Sequence, residues 1–122
     1  MAETISWNYV AQALGGPSLS GQGDLTVDAY DKITVTIAAG ATQEVDLVPS
    51  GTVSLLVINP AVPDIDLSYD VGGNAVALDG PHVLIGTGAV SLLLAVRRDL
   101  SFTNNTGADA TIEILLGRDA TP

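Results

Sequence analysis

The chain has 122 residues, 47% of them hydrophobic and 15% charged, and its formal net charge is −10 at pH 7. This length predicts one domain with its own core, and the hydrophobic fraction excludes a disordered chain. The chain has no cysteine, which excludes disulfides and thiolate metal sites. Four basic residues against fourteen acidic ones argue against binding to nucleic acid and to anionic membranes.

The first residues in chain order predict a strand. Ile5, Trp7 and Tyr9 alternate with polar residues over residues 4–10, as side chains on one face of a strand do. The start of the chain is acidic and polar, unlike a secretory signal. The longest apolar stretch, residues 83–96, is too short to span a membrane as a helix, so we expect a protein without a membrane segment.

Residues 11–23 have a different composition from the rest of the chain. They carry no charge and include four glycines and one proline. This composition predicts either a mobile linker or an arm that lies against a neighbouring molecule. We therefore divide the chain into residues 1–23, an N-terminal strand with a glycine-rich arm, and residues 24–122, a β-sandwich domain.

Alternation with period two continues through the domain and predicts strands with one buried face. The alternating apolar residues are Ile33, Val35 and Ile37; Val45 and Leu47; Ile65, Leu67 and Tyr69; and Ile112, Ile114 and Leu116. Other runs are apolar throughout, which predicts strands that are buried on both faces or covered by another subunit: residues 53–58, 83–85 and 90–96. Clusters of Gly, Pro and Asn separate the runs. We therefore expect an all-β protein, an antiparallel β-sandwich of the jelly-roll-like or Ig-like kind, with a barrel as the alternative.

One glycine motif superficially matches a cofactor site. Residues 83–88, VLIGTG, resemble the start of a dinucleotide-binding fingerprint, in which a strand runs into Gly-x-Gly-x-x-Gly. The third glycine is replaced by Ser91, and the run that follows is uniformly apolar rather than amphipathic. We therefore predict a glycine-containing turn between two buried strands, and no cofactor.

A group of carboxylates has part of the spacing of a calcium loop. Asp64, Asp66 and Asp70 fit its beginning, but Tyr69 stands where the loop requires glycine and Ala75 where it requires glutamate. Their alternation with apolar residues predicts the solvated face of a strand. We expect no bound metal.

Residues suited to catalysis are scarce. His82 is the only histidine and no Gly-x-Ser-x-Gly motif is present, so we predict a packed or surface histidine and no catalytic residue. Asn104-Asn105-Thr106 matches a glycosylation sequon, which we interpret as a turn. Arg97 and Arg98 are half of the basic residues, and we expect them to pair with carboxylates of their own chain or of a partner.

The order of features from Lys32 to Asp119 resembles that of a known class of proteins. A Thr/Ile strand at 33–37 leads to Ala-Gly-Ala-Thr at 39–42 and to the buried run at 53–58; PHVLIGTG at 81–88 follows, and the segment ends on ATIEILLGRD at 110–119. This order resembles the small all-β virion proteins of tailed bacteriophages, namely head decoration or cement proteins and related minor structural proteins. The resemblance implies a homo-oligomer, with a trimer favoured, on the capsid exterior. It also implies no enzymatic activity and an N-terminal arm that adds to a neighbour.

Together, the pattern and the resemblance predict a non-enzymatic phage virion structural protein, made in the host cytoplasm, that oligomerises and binds the major capsid protein or another virion component. We expect Ile5, Trp7 and Tyr9 to anchor the arm, and Arg97 and Arg98 to face a partner. The alternative is a carbohydrate-binding or adhesin-like sandwich. Its sugar would stack on an aromatic residue, and the available ones are Trp7, Tyr9, Tyr30, Tyr69 and Phe102.

Overall fold

A computed structural model describes residues 3–46, 52–71, 74–94 and 99–119. Its elements in chain order are β1 (Glu3–Gln12), β2 (Ser18–Val27), β3 (Ala29–Ile37), β4 (Thr42–Asp46), β5 (Thr52–Pro60), β6 (Asp64–Val71), β7 (Asn74–Leu78), β8 (His82–Ile85), α1 (Thr87–Leu94), β9 (Asp99–Asn104) and β10 (Ala110–Asp119). The protein is therefore all-β apart from one short helix.

The strands from β3 onward form two antiparallel four-stranded sheets that pack as a sandwich. The first sheet has the order β3-β10-β5-β8 and the second has the order β4-β9-β6-β7. Each sheet thus alternates early and late strands of the chain, which is the strand order of a jelly roll. The predicted antiparallel sandwich is confirmed, and the strand order is that of the jelly-roll kind.

The core lies between the two sheets and consists mainly of aliphatic side chains. The predicted inward residues Val35, Ile37, Val45, Leu67 and Tyr69 are buried, as are Ile112, Ile114 and Leu116 of the central strand β10. Ile33 packs against this core from its margin. Leu47 lies outside the described residues.

Of the three continuously apolar runs, only residues 53–58 match the expectation of burial on both faces. They lie in β5 between β10 and β8, and Leu55 and Leu56 are both buried although they point to opposite faces. Residues 83–85 are not buried on both faces of their own chain, because β8 is the edge strand of its sheet and Val83 is 51% exposed. The alternative, that another subunit covers this strand, remains a prediction.

The third run, residues 90–96, was expected to be a strand and is instead largely helical. Gly86 has a φ of +94° and turns the chain out of β8, while its N–H donates to the Ser54 carbonyl at 2.7 Å. The helix α1 begins at the next residue and buries Val90 in the core, whereas Leu92 on its other side is exposed. Consecutive apolar residues concealed this one-sided burial. Residues 95 and 96 lie outside the described residues.

The conformation of this turn predicts different effects of substitution at Gly86 and at Gly88, the two glycines of the VLIGTG motif. Gly86→Ala is expected to lower the free energy of unfolding by about 1–2 kcal/mol, because an L side chain is strained at positive φ. Gly88 has open space around it and helical backbone, so Gly88→Ala should be neutral or stabilise by about 0.5 kcal/mol. Urea unfolding of both variants checks this; equal effects would contradict it.

Ile65 also differs from its predicted place in the core, because it is exposed. The pairing of β6 with β7 shifts between Asp64 and Ser68, so the alternation is interrupted at this point. The Asp66 N–H donates to Asp64 Oδ1 at 2.9 Å, a local turn that holds the irregular backbone.

Residues 11–23 do not form a linker in the structure. Strand β1 continues to Gln12, a tight turn follows, and β2 begins at Ser18, so that β1 and β2 form a regular antiparallel hairpin. The boundary that we placed between residues 23 and 24 thus falls inside β2. The division into an arm and a domain remains a prediction.

Candidate functional site

The hairpin of β1 and β2, residues 3–27, is the candidate functional site, and we call it the arm hairpin. Its pairing sorts the side chains onto two faces. The apolar face carries Ile5, Trp7, Tyr9, Ala11, Leu19, Leu25 and Val27, with Gly21 and Gly23 among them and with Glu3 at its end, opposite Val27. Apart from Val10, the opposite face is polar, and there Ser6 Oγ donates to Asp24 Oδ1 at 2.9 Å.

Two glycines allow the aromatic rings of the arm hairpin to lie flat. Trp7 is opposite Gly23 and Tyr9 is opposite Gly21 in the register. A Cβ atom would lie 2.7 Å from the indole at Gly23 and 2.8 Å from the phenol ring at Gly21. The two ring planes are within 7° of parallel, with centroids 6.0 Å apart. The rings therefore cover the glycines and make a flat apolar surface.

The base of the arm hairpin is fixed to the first sheet. Val27 is buried, and a Cβ atom at Gly117 of β10 would lie 2.9 Å from Ile5 Cδ1 and 3.3 Å from both Leu55 Cβ and Val27 Cγ1. Ile5 therefore packs on the outer face of the first sheet at Gly117, a position where the sheet has no side chain.

The rest of the arm hairpin projects from the sandwich. Every residue from Asn8 to Ser20 is exposed, including Leu14 at 102% and Leu19 at 67%. No charged residue occurs between Trp7 and Gly23. A two-stranded hairpin by itself is marginally stable in water, so this apolar face would gain from being covered.

The structure brings the predicted anchor residues Ile5, Trp7 and Tyr9 onto one face of the arm hairpin, where Ile5 contacts its own sandwich and the two rings lie beyond it. Trp7 Nε1–H is buried and has no acceptor among the described residues. The other two predicted contact residues, Arg97 and Arg98, lie outside the described residues. Sequence reasoning missed Gly21 and Gly23, although their spacing of two residues matches that of the rings.

Away from the arm hairpin, a hydrogen bond between two side chains links the two sheets. Tyr69 of β6 and His82 of β8 form a hydrogen bond of 2.6 Å between the phenolic oxygen and Nδ1, and their rings meet edge to face. Burial raises the pKa of Tyr69 to about 12. The histidine is partly buried, which is consistent with the packed histidine that we expected.

The Tyr69 pKa predicts a loss of stability at high pH. The unfolded chain releases the Tyr69 proton near pH 10, whereas the folded chain holds it to about pH 12. The free energy of unfolding should therefore be unaffected by this group below pH 10 and fall by roughly 2 kcal/mol between pH 10 and 12. Urea unfolding across this range measures the loss. The Tyr69→Phe variant should lack it; an equal slope in the variant would contradict the assignment.

Asn104 lies inside the sandwich at the end of β9 and is fully buried. Its Nδ2 donates to the carbonyls of Ile37 and Ala108, and its Oδ1 accepts from the backbone N–H and the hydroxyl of Thr106. Asn104, the asparagine of the sequon, is therefore buried and bonded to the turn that follows β9. This agrees with the interpretation of these residues as a turn.

The acidic residues of β6 do not converge. Within residues 3–46, 52–71, 74–94 and 99–119, no group of three or more His, Cys, Asp or Glu is placed to hold a metal ion.

Ion pairs join Lys32 to Glu113 and Arg118 to Asp31, each at 3.1 Å. No helix in the described part of the chain is long and apolar enough to cross a membrane.

Comparisons with protein-family models, with characterised proteins and with solved structures find no significant match to this chain. The role of the arm hairpin is therefore inferred from its geometry and composition.

Proposed function

We propose that the chain is a non-enzymatic structural protein of a tailed-phage virion that self-associates through the arm hairpin and binds the capsid surface. The observation that carries this proposal is the projecting apolar face, on which Tyr9 and Leu19 are exposed and Trp7 is partly exposed. Covering such a face contributes about 25 cal/mol per Å² before the costs of association.

Charge supports the same role. A chain with a net charge of −10 repels its own copies over most of its surface, whereas residues 7–23 carry no charge at all. Residues 7–23 of the arm hairpin can therefore approach a second copy, or the major capsid protein, without bringing a charge of their own.

The architecture and the polar groups are also consistent with this role. Jelly rolls occur in viral capsid proteins and in lectins, a likeness of architecture alone. The single histidine is partly buried and its Nδ1 is hydrogen-bonded to the Tyr69 hydroxyl, so it packs between the two sheets.

Quantitative mass spectrometry of virions from the genome that encodes this chain tests the proposal. We expect the chain at a fixed ratio to the major capsid protein, and partner-facing Arg97 and Arg98 protected from chemical modification in the particle. Absence of the chain from purified virions would overturn the virion role.

A carbohydrate-binding module is the second candidate, because the parallel rings of Trp7 and Tyr9 form a platform on which sugar rings could stack. Beyond Ile5, however, the Trp7 N–H and the Tyr9 hydroxyl are the polar side-chain groups of this face, and sugar sites combine stacking with several hydrogen bonds. Tyr69 and Phe102 are buried and cannot take part. Glycan-array binding that is lost in Trp7→Ala and retained in Tyr69→Phe would favour this candidate.

A further inference from the structure

The outer face of the first sheet carries a second apolar surface, which we call the seat: Tyr30, Val57, Val83 and Leu115. Leu115 of β10 lies opposite Val57 of β5, and Val57 lies opposite Val83 of β8, so the three form one row across the sheet. Their neighbours along the strands, Ile114, Leu116 and Ile58, point into the core. The row itself therefore faces outward.

The seat is open and carries little charge. Val83 is 51% exposed and Tyr30 is 56% exposed, while Val57 and Leu115 are partly buried. The residue that continues the row on β3 is Lys32, one of the four basic residues of the chain. No acidic residue belongs to the row.

The arm hairpin does not cover the seat of its own chain. Ile5 and Val27 lie against the sheet at Gly117 and Leu55, whereas all residues from Asn8 to Ser20 remain exposed, as do Tyr30 and Val83 of the seat. One chain thus has two apolar surfaces at different places. Residues 7–23 of the arm hairpin carry no charge, and Lys32 and Glu113, which border the seat, form an ion pair at 3.1 Å. Two different surfaces on one chain make a head-to-tail contact, which closes into a ring when the rotation between copies permits.

We propose that the apolar face of the arm hairpin beyond Ile5, namely Trp7, Tyr9, Ala11 and Leu19, packs on the seat of a second copy of this chain. This inference rests on the self-association in the proposed function and specifies its geometry. The flat rings meet an apolar sheet face. The uncharged residues 7–23 meet no net charge at its border, because Lys32 and Glu113 are paired with each other there.

Single cysteines test this geometry cleanly because the chain has none of its own. Ala11→Cys places a thiol on the apolar face and Val83→Cys places one in the seat. On oxidation, a mixture of the two variants should form mixed disulfide dimers, and either variant alone should form few. Gln12→Cys, on the polar face, is the matched control and should not link to Val83→Cys. Linking of Ala11→Cys only to itself would indicate two hairpins face to face and would overturn the proposal.

A charge in the seat provides a second, independent readout. Val83→Glu lies on an exposed edge position and should weaken self-association at least about tenfold, because it places a carboxylate against an apolar face. Asn74→Glu adds the same charge to the edge of the second sheet and should change nothing. Sedimentation equilibrium measures both. Unweakened association of Val83→Glu would remove the seat from the interface while leaving the proposed function intact, whereas a wild-type monomer would remove both.

Discussion

Replacing Asn104 by alanine is expected to lower the free energy of unfolding by about 3 kcal/mol. The side chain is fully buried and bonds to Ile37, Thr106 and Ala108, which belong to β3 and to the turn after β9. Removing it leaves two carbonyls and one N–H without their partner, at about 1–3 kcal/mol for each group that water does not reach. Water can reach Ala108, which is exposed, so the sum stays near the lower end.

Asn105→Ala is the matched control for this prediction. Its side chain is exposed, and the hydrogen bond that Asn105 gives to the Asp66 carbonyl comes from the backbone N–H and survives the change. Chemical denaturation should show a change within about 0.5 kcal/mol for this variant. If the two variants lose the same stability, Asn104 does not hold the turn to the core.

The second large effect is expected at the base of the arm hairpin. Gly117→Val should cost about 2 kcal/mol and separate the hairpin from the sheet, because its Cβ would meet Ile5, Leu55 and Val27 at 2.9–3.3 Å. Valine favours strands, so a loss of stability cannot come from backbone preference. Hydrogen exchange should show faster opening of β1 and β2 relative to the sandwich.

Gly80→Val serves as the comparison, since Gly80 has no atom within 4 Å of a built Cβ and does not have positive φ. It should change the free energy of unfolding by less than about 1 kcal/mol. A Gly117→Val protein as stable as this control, with unchanged exchange in β1 and β2, would show that Ile5 does not fasten the hairpin.

The period-two alternation was a good guide to the fold where it was regular. Val35 and Ile37, or Ile112 and Ile114, alternate because one face of their strand meets the core, and this pattern survives in any strand order. The jelly-roll order itself depends on which strands pair over long separations, and a single sequence carries no signal for that. The prediction that Ile65 is buried was wrong, because the shift in the pairing of β6 with β7 interrupts the alternation at this point.

The candidate site was only half visible in the sequence. The spacing of Trp7 and Tyr9 predicted an apolar face, but the glycine content of residues 11–23 predicted a mobile linker or an arm and gave no sign of a regular strand. Gly21 and Gly23 act differently, since each lies opposite a ring and provides the space that the ring fills. Such pairing across a hairpin is invisible until the turn fixes the register. The helix α1 was not predicted for a related reason, because the chain enters it through the positive φ of Gly86, which the sequence pattern does not show.

Light scattering of the purified chain tests the central claim, that the arm hairpin carries self-association. We expect a mass that is a multiple of 12.4 kDa for the wild type, and a mass of 12.4 kDa for a Trp7→Ser/Tyr9→Ser variant whose sandwich remains folded. A wild-type chain that stays at 12.4 kDa at every concentration, or a double variant that associates like the wild type, would contradict it.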